Sequence, residues 1–160
     1  MEASFKQSDS LTKEQRYQAF IHDYAPLISD VGNPVSILAN TSAALHEAFG
    51  FFWVGFYMIT DGQLCLGPFQ GSVACYKIKK GRGVCGTAWQ KAETQVVPDV
   101  DQFPGHIACS SLSRSEIVVP IIVKGEVIGV LDIDSDQLNT FDDIDKLYLE
   151  QVVSLLANEL

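Results

Sequence analysis

The apolar period changes near Phe52, and no other feature restricts this chain as strongly. Ahead of it the spacing is helical. Thr12 with Gln15 forms a capping box, followed by Tyr17, Phe20, Ile21, Tyr24, Leu27 and Ile28 at helical intervals. Pro34 suits the first turn of a second helix with the stripe Leu38, Thr41, Leu45 and Phe49, ended by Gly50. Beyond it the period is two. Phe52 to Ile59 reads as a strand, Asp61-Gly62 as a hairpin turn and Gln63 to Gly67 as the partner strand. Val73 to Ile78 follows as a third strand, Val84 to Lys91 as a short helix, and Thr94 to Val97 as a strand closed by Pro98. Ile117 to Val123 and Val127 to Ile133 make a hairpin through Lys124-Gly125-Glu126. Thr140 then caps a last helix carrying Ile144, Leu147, Val152, Leu155 and Leu156, with Asp142 and Asp143 at the positive end of its dipole. Two helices, a run of hairpins and a terminal helix specify an α+β fold with a mainly antiparallel sheet, because alternating βαβ units are absent.

Length and charge then narrow the function. At 160 residues, 47% of them apolar, the chain is expected to be one domain over residues 12–160, behind a polar, flexible N-terminus over 1–11. Eleven Lys and Arg against twenty Asp and Glu leave a net charge of −9. Nucleic acid and anionic membranes need a cationic face, so both are excluded as partners; the run Lys77, Lys79, Lys80 and Arg82 reads as a solvated turn. The start, MEASFKQSDS, has no basic segment leading into an apolar one, and no apolar stretch reaches the ~20 residues of a membrane span. A cytoplasmic chain is expected, with its four cysteines reduced and available for redox chemistry, metal binding or packing.

Three groups of residues carry candidate chemistry. Gly81, Gly83 and Gly86 match G-x-G-x-x-G, with Asp101 about twenty residues on, but hairpins are the wrong setting for a dinucleotide fold. A glycine-rich turn into a helix is the better account. Cys75, Cys85, His106 and Cys109 have zinc-ligand chemistry without the paired spacing of structural zinc. Cys109 lies in a long polar loop, Asp99 to Arg114, and Cys85 beside glycines at a helix start, where the dipole and nearby cations would lower a thiol's pKa. Redox thiols are therefore placed ahead of packing cysteines, with zinc third; Cys65, within an apolar strand, reads as core. Glu116, Asp132 and Asp134 form the third group. Within LDIDSD, Leu131 and Ile133 face one layer and the two Asp the other. If a helix or loop covers that second face, the carboxylates converge, and they then hold a cation or keep a proton at neutral pH.

Several segments together resemble a known family: GFY at 55–57, LGPFQG at 66–71, AC at 74–75, GRGVCGTAW at 81–89, PDV at 98–100, FPGHIACS at 103–110, SEIVVPI at 115–121 and GVLDIDS at 129–135. The pattern is similar to the free methionine-(R)-sulfoxide reductases, single GAF-domain enzymes, from about residue 12 to the end. The resemblance implies a GAF-like fold, an antiparallel sheet flanked by helices, with no bound cofactor. It assigns Cys109 as nucleophile, Cys75 as main resolving thiol and Cys85 as a second thiol of variable use. Glu116, Asp132 and Asp134 would hold the substrate's ammonium and sulfoxide, and Trp53 with Tyr57 would wall its methyl group. The implied partners are free methionine-(R)-sulfoxide, thioredoxin supplied ultimately by NADPH, and a second copy in a homodimer. A non-catalytic GAF module that binds a small ligand is the main competing reading.

Overall fold

The computed structural model describes residues 4–107 and 109–160. Helices α1 (Lys13–Ile28) and α2 (Pro34–Phe49) precede strands β1 (Trp53–Thr60), β2 (Gln63–Gln70) and β3 (Lys77–Ile78). Helix α3 (Gly83–Lys91) and β4 (Gln95–Val97) follow, then β5 (Ser115–Val123), β6 (Glu126–Ser135) and α4 (Asp143–Ala157). The strands form one six-stranded sheet in the order β3-β2-β1-β6-β5-β4, and every pairing is antiparallel. Among the described residues no helix is long and apolar enough to cross a membrane.

The hairpins form where the turn residues dictate. Asp61 and Gly62 (φ +51° and +77°) join Thr60 to Gln63, and Lys124 and Gly125 (φ +52° and +81°) join Val123 to Glu126. Two consecutive left-handed residues match the twist of the flanking strands. Alternation then divides the sheet into two faces. Val54, Phe56, Ile117, Val119, Leu131 and Ile133 pack into a large core under α1, α2 and α4. Trp53, Tyr57, Val118 and Val130 point to the other face, where α3 covers them.

Ahead of α1, Phe5 is 6% exposed with its ring centroid 5.4 Å from that of Phe20, and Gln7 donates to the Arg16 carbonyl; residues 1–3 lie outside the described residues. The structure corrects several sequence expectations. The third strand shrinks from 73–78 to Lys77–Ile78, because the chain before it is drawn away toward the site described below. Cys65 is half-buried rather than core.

Helix α4 is capped by Asp142 rather than Thr140. The Asp142 carboxylate accepts from the Ile144 and Asp145 amides, while Asp145 accepts from the Asp142 amide. Thr140 bonds to Ser135 instead. The buried face is Asp145, Tyr148, Leu149, Val152, Val153 and Leu156, leaving Ile144 and Leu147 exposed. A buried carboxylate is tolerable here because Tyr17 Oη donates to it at 2.6 Å and Lys13 Nζ at 2.7 Å. Asp145→Ala should therefore cost about 2–4 kcal/mol in urea unfolding, since it orphans a buried hydroxyl, unpairs Lys13 and breaks the cap.

Candidate active site

The face of the sheet under α3 supplies the acids. Glu116 on β5 lies directly opposite Asp134 on β6, and Asp132 opposite Val118, so all three carboxyls emerge on the α3 side. On the other flank of β6, Asp134 is paired with Trp53 and Asp132 with Gly55 of β1. Glu116 and Asp132 are each 5% exposed. A carboxylate oxygen of Glu116 lies within 4.8 Å of one of Asp132 and of Cys85 Sγ. Burial pushes Glu116 and Asp134 well above the usual carboxylate range, and their charged neighbours push them further. Burial raises Asp132 as well, while its neighbours Glu116, Cys85 and His106 pull it back. Glu116 and Asp134 are thus the two acids that the site holds most strongly in the neutral form.

Helix α3 and the loop after β4 close the site. Gly81 and Gly83 (φ +79° and +60°) turn the chain into α3, and a Cβ on Gly86 would sit 2.5 Å from the Lys79 carbonyl oxygen. The glycine spacing thus serves a tight turn and close helix packing. With every strand antiparallel, the dinucleotide reading is excluded. The loop is pinned at its ends by Val100 N–H to Arg114 C=O (2.9 Å) and Arg114 N–H to Ser135 C=O (2.7 Å). Ile107 packs against Gly83 and lays the loop over the helix start.

Between these elements lies a pocket lined by Trp53, Tyr57, Cys85, Cys109, Glu116, Asp132 and Asp134. Cys75 joins them through a disulfide to Cys109, with Cα atoms 5.4 Å apart. The structure thus brings the thiols Cys75, Cys85 and Cys109, the acids Glu116, Asp132 and Asp134, and Trp53 with Tyr57 to one pocket, while Asp101 of the glycine-motif reading lies outside it. Two aromatic side chains hold the Cys75 segment: Trp53 Nε1 donates to Ser72 C=O at 2.9 Å, and Tyr57 Oη to Cys75 C=O at 3.0 Å. These bonds, with the disulfide, are what shorten β3. Gly71 (φ +143°) lies flat against the Trp53 ring, where a side chain has no room.

Cys85 differs from its expected character. Its thiol is buried, and burial followed by the charges of Asp132, Glu116 and Asp134 raises its pKa well above the ordinary value. Desolvation and three acids outweigh the helix dipole. The zinc set fails as first grouped, since Cys75 and Cys109 are bonded to each other. Arg82, Ser110 and Ser113 also line the pocket without having been singled out as site residues. Only adjacency to the glycine turn and to Cys109 hints at them in the sequence.

With this geometry in place, the comparisons are consistent with it. Residues 33–160 match the GAF domain family. The chain is 56% identical over 148 residues to GAF domain-containing protein A of Dictyostelium discoideum, covering 92% of this chain and 94% of that protein. It is 45% identical over 151 residues to the free methionine-R-sulfoxide reductase of Escherichia coli (strain K12), covering 94% and 92%. The solved structure of free methionine-R-sulfoxide reductase from Neisseria meningitidis with its substrate superposes with a TM-score of 0.95 at 48% identity, over 99% of this chain and 95% of that one. The fold and the family match define a GAF-domain protein. Within that class, the chain belongs to the free methionine-(R)-sulfoxide reductase family.

Proposed function

We propose that the protein reduces free L-methionine-(R)-sulfoxide to methionine through a Cys109 sulfenic acid and a Cys75–Cys109 disulfide, recycled by thioredoxin. The observation that carries this reading is the Cys75–Cys109 pair at a pocket with three acids on one side and Trp53 and Tyr57 on another. The Cys109 thiolate attacks the electrophilic sulfoxide sulfur while Glu116, the acid opposite Asp134 and beside Asp132, protonates the departing oxygen. The oxygen passes to Cys109, methionine leaves, and the Cys75 thiol displaces water from the sulfenic acid to form the disulfide. A dithiol donates two electrons by exchange and restores both thiols, drawing ultimately on NADPH. Cys85 stays outside this cycle as a reserve thiol, in keeping with its raised pKa. The reaction is placed in the cytoplasm, and Ile144 and Leu147, exposed on α4, offer an apolar face for the homodimer.

The acids also select the substrate. They are matched to a free ammonium, which an amide nitrogen in a peptide cannot replace. A peptide therefore leaves buried acids unpaired, at about 1–3 kcal/mol, or roughly 10- to 100-fold in kcat/KM. In a thioredoxin-coupled NADPH assay, free methionine-(R)-sulfoxide should outrun both the S epimer and a methionine-sulfoxide peptide by at least that margin. Equal rates on the peptide refute the proposed selectivity. Binding without NADPH consumption favours the non-catalytic module.

A further inference from the structure

The acidic end of the pocket contains a thiol that the proposed cycle does not use. Cys85 Sγ and one carboxylate oxygen from each of Glu116 and Asp132 all lie within 4.8 Å of one another, and all three residues are buried. They come from three different elements, α3, β5 and β6, so the convergence is a property of the fold and not of one acidic run. A second observation points to a ligand: Asp132, 5% exposed, has its Oδ1 buried with no hydrogen-bond partner. His106 Nδ1, also buried and unpartnered, belongs to the same pocket lining. Among the described residues, no Lys or Arg forms a salt bridge with Glu116, Asp132 or Asp134.

We propose that Cys85, Glu116 and Asp132 form a binding site for a thiophilic divalent cation of the Zn²⁺ or Cd²⁺ class, at the acidic end of the pocket. Sulfur with carboxylate oxygen suits these ions. Bonds of about 2.3 Å to sulfur and 2.0–2.2 Å to oxygen let one ion bridge all three atoms once they draw together around it. Mg²⁺ and Ca²⁺, which prefer oxygen throughout, are poorly matched by the thiolate. Binding displaces the ligands' protons and supplies the positive charge this buried cluster lacks. The site is separate from the redox pair, so it remains available while Cys75 and Cys109 are joined, and it does not depend on the reductase reading.

That independence sets the experiment: Cd²⁺ titration of the oxidised protein, in which Cys65 and Cys85 are the free thiols. The ultraviolet cadmium–thiolate band should develop to one equivalent in the wild type and in Cys65→Ser. It should weaken at least 10-fold in apparent affinity in Cys85→Ser. Glu116→Gln keeps the thiol and should also weaken binding at least 10-fold, which guards against a folding defect in the cysteine variant. Mg²⁺ at the same concentration should leave the melting temperature unchanged while Cd²⁺ raises it. No band in the wild type, or a band that survives in Cys85→Ser and disappears in Cys65→Ser, overturns the proposal.

Discussion

Cys109→Ser should abolish methionine formation, with kcat falling by at least about 10³-fold, because the hydroxyl is a far weaker nucleophile than the thiolate it replaces. The companion variant separates the two halves of the cycle. Cys75→Ser retains the attacking thiol, so it should still release about one methionine per site in a single turnover. Multiple turnover with thioredoxin should fall by roughly 10²-fold or more, and a sulfenic acid should accumulate on Cys109, open to trapping by a dimedone-type reagent. The geometry supports this order of roles. Cys109 lines the pocket itself, whereas Cys75 reaches it through the disulfide from a segment that Trp53 and Tyr57 hold by their polar atoms. A burst of methionine from Cys109→Ser and none from Cys75→Ser would exchange the two assignments.

What could be read from the sequence follows from how local each cause is. The shift from helical to two-residue period, the turns at Asp61-Gly62 and Lys124-Gly125, and the alternation within LDIDSD act over a few residues, and the structure reproduces all of them. The phase of α4 was hidden by Asp145, a charged residue on the buried face whose partners Tyr17 and Lys13 lie more than 120 positions away. The Val73 to Tyr76 stretch has strand composition, but the pull of Cys109, Trp53 and Tyr57 on it is a tertiary effect. Cys85 makes the same point in electrostatics. A helix start and neighbouring cations are visible in the sequence and argue for a lowered pKa, while the decisive burial and the three acids arrive from β5 and β6. The acidic trio itself was legible as a conditional: the alternation showed a shared face, and only the fold shows α3 and the loop covering it.

Glu116→Gln should damage catalysis and strengthen the fold in the same protein. Loss of the acid removes general-acid assistance, about 10²- to 10³-fold in kcat. For stability, Glu116 and Asp134 have folded-state pKa values raised well above their unfolded ones, by burial first and neighbouring charge second. Between the unfolded and folded values the native state therefore binds more protons than the unfolded chain, and the slope of unfolding free energy against pH is negative. The associated stability is fully present below the unfolded carboxylate range near pH 4 and is lost as pH rises through the raised folded values. From pH 5 to 8 the wild type should lose stability, whereas Glu116→Gln, with one fewer buried acid to ionise, should show a flatter profile. At pH 8 it should exceed the wild type by on the order of 1–2 kcal/mol in urea unfolding. A variant that loses activity and stability together would instead make Glu116 a packing residue. The opposed outcome marks the acidic trio as a group held at a cost to the fold because the site's chemistry requires it.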